Sequence, residues 1–395
     1  MTTSDSFDIQ DIKIQNKLLR VCLERRIPFV SYRQPRETGI TTLVQYTAAP
    51  RKLKSILDLD AAAGFVVAPF YGSEAFPAML LEPDLICNSA LPVADAVVEK
   101  LQDCNAFLEI KANTGNVHQA TIDEFTAQVE AIRAKIKEGV ISKAVLSRIK
   151  VEEGVEGINL VGLFDTLCQS YPNAFVYILQ MPGVGCWIGA SPEPLVLIED
   201  GRAKTTSIAG TQVLGDRSVS DITWKEKEID EQAIVTGYID EVLCKFGATS
   251  VEKTGPASYQ AGNLVHLKTQ FDFDSAAISP VLGQFVDALQ PTPSVCGLPK
   301  AEAKDVVHSV EKHNREYYSG FLGPVNIDNR TALFVNLRCM KVLPEGFAFF
   351  IGAGITEGSI PGREWEETSH KMMTLLSVVN GVKTTKAYEF SKTGN

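Results

Sequence analysis

Two pairs of glutamates stand at helical spacing in this 395-residue chain, Glu228 with Glu231 and Glu364 with Glu367. At 100° per residue, Glu364, Glu367 and Lys371 fall within about 60° of one another, and Leu375 and Val378 continue the stripe. Glu228 and Glu231 head the same kind of stripe, followed by Val235, Tyr238, Ile239 and Val242. A single Glu near a helix start simply complements the macrodipole. Carboxylates on the apolar side of a helix are costly unless they hold a cation, and two such helices suit a four-carboxylate cluster for a hard, oxygen-ligated ion such as Mg²⁺. The i,i+3 spacing is undemanding, and many amphipathic helices satisfy it by chance.

Four further residues could do chemistry. Lys143 shares a strand face with Val145, Ser147, Ile149 and Val151, so it either snorkels from the strand end or is desolvated for a purpose. Arg148, on the opposite face, reads as an ordinary salt-bridge or surface residue. Glu193 lies between Pro192 and Pro194 in a stiff extended turn, where an acid is ordinarily solvated. His266 sits in a strand-like run, a place that fits a hydrogen-bonded structural histidine as readily as a functional one. Arg338, inside the strand-like run ALFVNLRCM, needs an anionic partner if buried.

The elements that must position these residues follow from periodicity. Thr121 and Glu124 form a capping box, and Phe125, Val129, Ile132 and Ile136 recur at helical spacing until Gly139. VISKAVLSRIKVE is a strand, residues 159–170 a short helix, and FVYILQM a buried strand. Gly189 to Pro194 interrupts two strand-like runs, and KTTSIAGTQ ends a strand in a corner of small residues where backbone N–H groups can approach a ligand. A helix spans about 222–246, GNLVHLKTQFDF is a strand, AISPVLGQFVDAL a helix, and QPTPSVCGLPK a proline-rich loop. ALFVNLRCM and GFAFFIGAGI make two strands of a hairpin turning at LPEG, and the glycines of the second lead into the helix of Glu364. Residues 10–118 alternate strand-like runs with polar turns and serve as scaffold.

Composition narrows the function classes. With 45 % hydrophobic and 22 % charged residues, the chain reads as a globular protein with a large core. A net charge of −10 argues against nucleic acid or an anionic membrane as partner and for a small molecule. The eight cysteines form no C-x-x-C pair, so neither a zinc knuckle nor a disulfide scaffold is indicated. The N-terminus lacks a basic region followed by an apolar one, no run has the length of a membrane span, and the expectation is a cytoplasmic monomer.

Taken in order, KAVLSR, GASPEPLV, SIAGTQ, the W-K-x-K-E-x-x-E helix, VHLKTQ, PTPSVCGLPK, SGFLGPV, NLRCM and IGAGITEGS…EWEETSHK resemble the chorismate-utilising enzymes across roughly residues 120–380. The resemblance implies an α+β fold, one large domain of layered antiparallel sheets with helices outside. It implies that Glu231 and Glu367 ligate Mg²⁺ with Glu228 and Glu364 close by, and that Ala209, Thr211, His266, Arg338, Lys371 and the backbone at Gly210, Gly352 and Gly354 hold chorismate. Lys143 takes the place of the general base and Glu193 that of the general acid, for water attack at C2 with loss of the C4 hydroxyl.

Within the family, isochorismate synthase fits best, for menaquinone or siderophore biosynthesis. Ala209 stands where aminodeoxychorismate synthases carry a lysine nucleophile, and the segment that follows the metal helix in anthranilate synthases is replaced by IVTGYIDEV. Salicylate synthase and anthranilate synthase component I are the alternatives, and a catalytically silent chorismate- or Mg²⁺-binding protein is the rival of another class. Gln232 departs from the histidine that many members place after the metal Glu.

Overall fold

The computed structural model describes residues 9–88, 93–104, 115, 117–153 and 158–393. Two nine-stranded sheets form its centre, and every strand pairing among the described residues is antiparallel. In the first sheet the spatial order is Gly297–Leu298, Lys143–Glu153, Gly346–Ile355, Cys339–Leu343, Gly185–Ser191, Phe175–Met181, Phe29–Arg33, Ile40–Val44 and Leu85–Cys87. In the second it is Glu252–Ala261, Leu264–Asp274, Arg202–Val213, Pro194–Glu199, Thr331–Val335, Phe321–Val325, Gly64–Ala68, Met79–Leu81 and Arg51–Lys52. The scaffold region thus supplies three strands to each sheet.

The strand FVYILQM explains the layering. Phe175, Tyr177 and Leu179 join Phe65, Leu322 and Phe334 in a core between the sheets, while Val176 and Ile178 join a separate core beneath helices Ile9–Arg25, Leu160–Ser170 and Pro361–Thr393. A strand covered on both faces reads as a continuous apolar run, and this one does. Helices Ile122–Lys137, Glu226–Lys245, Leu282–Leu289 and Lys300–Val310 close a third core over Val66, Leu195, Phe271 and Leu333. This is the α+β architecture the resemblance implies.

Local signals set several boundaries. The Thr121–Glu124 box forms in both directions, Glu124 N–H to Thr121 Oγ1 at 3.2 Å and Thr121 N–H to Glu124 Oε2 at 3.0 Å. The helix expected over 222–246 spans Glu226–Lys245, because the Glu228 carboxylate accepts from Lys225 N–H at 2.9 Å and makes Lys225 the N-cap. The run AISPVLGQFVDAL is helical only from Leu282, after short 3₁₀ turns that include Pro280, which has no N–H to donate.

ALFVNLRCM is not one strand. Thr331–Val335 belongs to the second sheet and Cys339–Leu343 to the first, and the chain crosses between them at Asn336, Leu337 and Arg338. Arg338 takes a left-handed φ of 47°, and Asn336 braces the crossing by accepting from Tyr177 Oη at 2.6 Å and donating to Tyr317 O at 2.9 Å. Both halves are buried, so alternation continues across the break and conceals it. The LPEG hairpin forms as expected, with Leu343 paired to Gly346.

Candidate active site

A cleft of about 810 Å³, mouth included, opens where the lysine strand Lys143–Glu153, the Arg338 crossing and the two acidic helices meet. Glu193, Ala209, Gly210, Thr211, Glu231, His266, Arg338, Gly352, Gly354 and Lys371 all line it. SIAGTQ reaches it through a bulge and not at a strand end: the strand Arg202–Val213 shifts register between Ala209 and Gln212, with Gly210 at φ +65°. A Cβ on Gly210 would sit 3.0 Å from Glu228 Cβ, so glycine lets the first acidic helix close on the strand.

One end of the cleft holds buried polar groups with no ionic partner. Glu193 is 3 % exposed, its Oε1 has no hydrogen-bond partner, and burial raises its carboxyl to about 7 against the pull of Ser294, Lys143, Arg338 and Lys371. His266 Nδ1 lies 3.0 Å from Gly210 O and 3.2 Å from Thr211 Oγ1, and its Nε2 lies 3.0 Å from Arg338 Nη2. The carbonyl needs a donor and the guanidinium needs an acceptor, so the imidazole carries its proton on Nδ1. Burial, then the charges of Arg338 and Lys371, depress it to about 3 and keep it neutral. Arg338 pairs with no carboxylate among the described residues, which leaves its guanidinium available for an anion.

The other end is charged and internally matched. Lys143 is completely buried with Nζ 2.8 Å from Glu231 Oε1, close enough for an ion pair yet poorly aligned for a hydrogen bond. Burial pushes the Glu231 carboxyl up, but Lys143, Lys371 and Lys227 outweigh it and hold it below the usual range. A Cβ on Gly354 would meet Glu231 Oε1 at 2.5 Å, so glycine lets the carboxylate lie where it meets Lys143. Lys371 Nζ lies 2.7 Å from Glu367 and donates to Gly352 O at 3.1 Å. Lys227 lies 2.8 Å from Glu364.

Residues 86–380 match the family described as "Chorismate binding enzyme". The chain belongs to this family. It is 27 % identical over 275 residues to the isochorismate synthase MenF of Bacillus subtilis (strain 168), covering 66 % of this chain and 56 % of that relative. It is 29 % identical over 281 residues to anthranilate synthase component 1 of Acetivibrio thermocellus, covering 68 % and 54 %. The matches therefore span just over half the length of these relatives. The solved structure of the menaquinone-specific isochorismate synthase MenF of Escherichia coli superposes with a TM-score of 0.72 at 18 % identity, covering 96 % of this chain and 93 % of that one.

For a chorismate-binding enzyme, the acids are arranged with restraint. The expected four-carboxylate cluster is not assembled: no three acidic, histidine or cysteine side chains among the described residues stand ready to hold a metal. Glu228 is turned to its own helix N-terminus, and the other three acids each pair with a lysine. Yet three of these acids already act on one cation, which sits on Glu364. The Lys227 ammonium feels Glu364, Glu231 and Glu367 together, and they hold its amine above its ordinary range although burial works against its charge. Glu364 is pushed up by burial and then by Glu367, the strain of two acids that a shared cation relieves. Glu366 is exposed and apart from them.

Several residues near the cleft take places that the sequence does not give. Arg148 is buried, not superficial: its guanidinium stacks 3.9 Å from the Trp365 ring centre and donates to Thr368 Oγ1 at 2.8 Å and Ser369 Oγ at 2.9 Å. It fastens the second acidic helix to the lysine strand, beside Glu367. Gln232 donates to Ser207 Oγ at 2.8 Å and Thr269 Oγ1 at 3.1 Å, tying the first acidic helix to two strands. Tyr318 and Ser294 line the cleft. Arg148 carries a signal in its place between Ser147 and Ile149, a cation inside a strand-like run.

Proposed function

We propose that this chain is a Mg²⁺-dependent isochorismate synthase that interconverts chorismate and isochorismate in the cytoplasm, for menaquinone or siderophore biosynthesis. The observation that carries the proposal is Glu193: a buried carboxyl, poised near 7, with a free oxygen atom facing a cleft that also holds an uncommitted guanidinium. Hydroxide leaves poorly unless protonated, and Glu193 is the group able to protonate it. Lys143, beside the cleft against Glu231, would take the proton of the attacking water in its neutral amine form, the ion pair with Glu231 having been given up.

Arg338 binds a substrate carboxylate, with neutral His266 held against it and Lys371 adding charge. Ala209 leaves no side-chain nucleophile at its position in the wall, which favours water over covalent attack. Glu231, Glu364 and Glu367 would hold Mg²⁺, with Glu228 behind them. The ion, when bound, neutralises a substrate carboxylate.

Incubation with chorismate and Mg²⁺ tests the reading by product analysis. Isochorismate is expected. Salicylate with pyruvate would make the chain a salicylate synthase, anthranilate on adding ammonia would make it an anthranilate synthase component, and no product would leave a silent binding protein.

A further inference from the structure

Away from the substrate cleft, the chain walls a second cavity of about 1010 Å³, mouth included. Its floor is apolar and partly flat, made by Phe70, Phe321, Pro69, Pro77, Pro291 and Val286. Lys54 and Lys304 stand around it, and neither pairs with a carboxylate among the described residues. Lys304 Nζ is 5.2 Å from the Tyr71 ring centre and 6.0 Å from that of Phe70. Among the described residues the one acid in the wall, Asp287, acts on Lys300, whose ammonium also caps the carbonyl groups of Asp287, Ala288 and Gln290. The cavity is therefore cationic over an apolar floor.

Its partition from the substrate cleft is a single stretch of chain. Gln290 and Pro291 face the cavity, and Ser294 and Val295 face the cleft. Arg315 joins the two sides: its guanidinium stacks 4.3 Å from the Phe70 ring centre, Nη1 donates to Val295 O at 2.9 Å, and Nη2 donates to Val145 O at 2.6 Å. Val145 lines the cleft, two residues along the strand from Lys143. Along the partition, Gln290 Oε1, Thr292 Oγ1 and Ser319 Oγ are buried without partners. Native proteins seldom leave such groups unmade, and a shifted partition could satisfy them.

We propose that this cavity is a second ligand site, for a small carboxylate with a flat apolar body, and that its occupancy is transmitted to the substrate cleft through Phe70, Arg315 and the 290–295 partition. The carboxylate meets Lys304 and Lys54, and the flat body lies on Phe70 and the prolines. The two sites are coupled because one guanidinium holds a wall of each.

The test uses 4-fluorobenzoate as probe with the full chain, followed by ¹⁹F NMR titration and by hydrogen exchange. Gly72 lies in the cavity wall and a Cβ on it meets no atom within 4 Å, so Gly72→Trp places a bulky side chain at the cavity without a backbone clash. Saturable binding is expected, weakened about tenfold by Lys304→Met, as for one lost charge-assisted contact. Gly72→Trp should abolish it, and Arg338→Met, which disables the anion receptor of the cleft, should leave it unchanged. The probe should also slow exchange across residues 290–298 and 143–149 in the parent and not in Gly72→Trp. Binding lost in Arg338→Met but retained in the two cavity variants would put the probe in the substrate cleft and overturn the proposal. So would the absence of saturable binding, or binding with no change in exchange at the partition.

Discussion

The two ends of the substrate cleft are built on opposite electrostatic plans. At the Glu193 end, an acid and an imidazole are buried without ionic partners beside the Arg338 guanidinium, and burial sets the protonation of the first two. At the Glu231 end, Glu231, Glu364 and Glu367 each have a lysine within 2.8 Å, and the charges balance one another. The first end is ready to receive an anion as it stands. The second must exchange internal partners for external ones, so ligand and cation binding there is a competition with Lys143, Lys227 and Lys371.

The largest test of this contrast is removal of one proton-transfer group from each end. Glu193→Gln and Lys143→Ala should each lower turnover by about 10² to 10⁴, the usual worth of a positioned acid or base, while circular dichroism stays native. A fully active Lys143→Ala enzyme would sink its assignment as base. Next, Arg338→Met should raise KM for chorismate by about tenfold to a hundredfold with a smaller change in kcat, since it removes a charge-assisted contact made before the chemistry. An unchanged KM would mean that the unpaired guanidinium receives no substrate.

At the balanced end, Glu231→Gln and Glu364→Gln should weaken Mg²⁺ binding in calorimetry by about a hundredfold or more, beyond the roughly tenfold to hundredfold that loss of a ligand's supporting partner brings. Glu366→Gln, off the stripe, should leave it within about twofold. Equal effects of all three would show that only overall negative charge matters.

The last effect concerns stability. Glu193 holds its proton up to about 7 in the folded chain against an ordinary 4.5, so the native state binds more protons than the unfolded one between those values. Its contribution is fully present below about 4.5 and is lost as pH rises toward 7. His266, lowered from 6.5 to about 3, works in the other direction, its contribution being present above 6.5 and lost as pH falls toward 3. Chemical denaturation of the parent and Glu193→Gln should therefore diverge as pH rises from 4.5 to 7, with the variant gaining relative stability. Parallel curves would mean that the carboxyl is not desolvated.

The helices and strands bearing the motifs were legible because their signals are local. Thr121 with Glu124 marks a helix start, FVYILQM a doubly covered strand, and LPEG a turn, and each forms where expected. The limits of that legibility are equally physical. Alternation passes unbroken through Asn336, Leu337 and Arg338, because periodicity reports burial and not which sheet does the burying. Arg148 was misjudged for a related reason: its partners Trp365, Thr368 and Ser369 lie more than two hundred residues away.

For the site, the sequence by itself determined the inventory: two acidic stripes, a lysine within an apolar strand face, an acid between prolines, and nine motifs in one order. Those features depend on residue type and spacing alone, and they were enough to bring out the family. Only the tertiary structure decided charge state and partnership. Glu193 is an acid near 7 because the fold buries it without a partner, whereas Glu231 is ionised because the fold brings Lys143 to it from 88 residues away. Desolvation and ion pairing are properties of neighbours in space, and spacing along a chain does not name them.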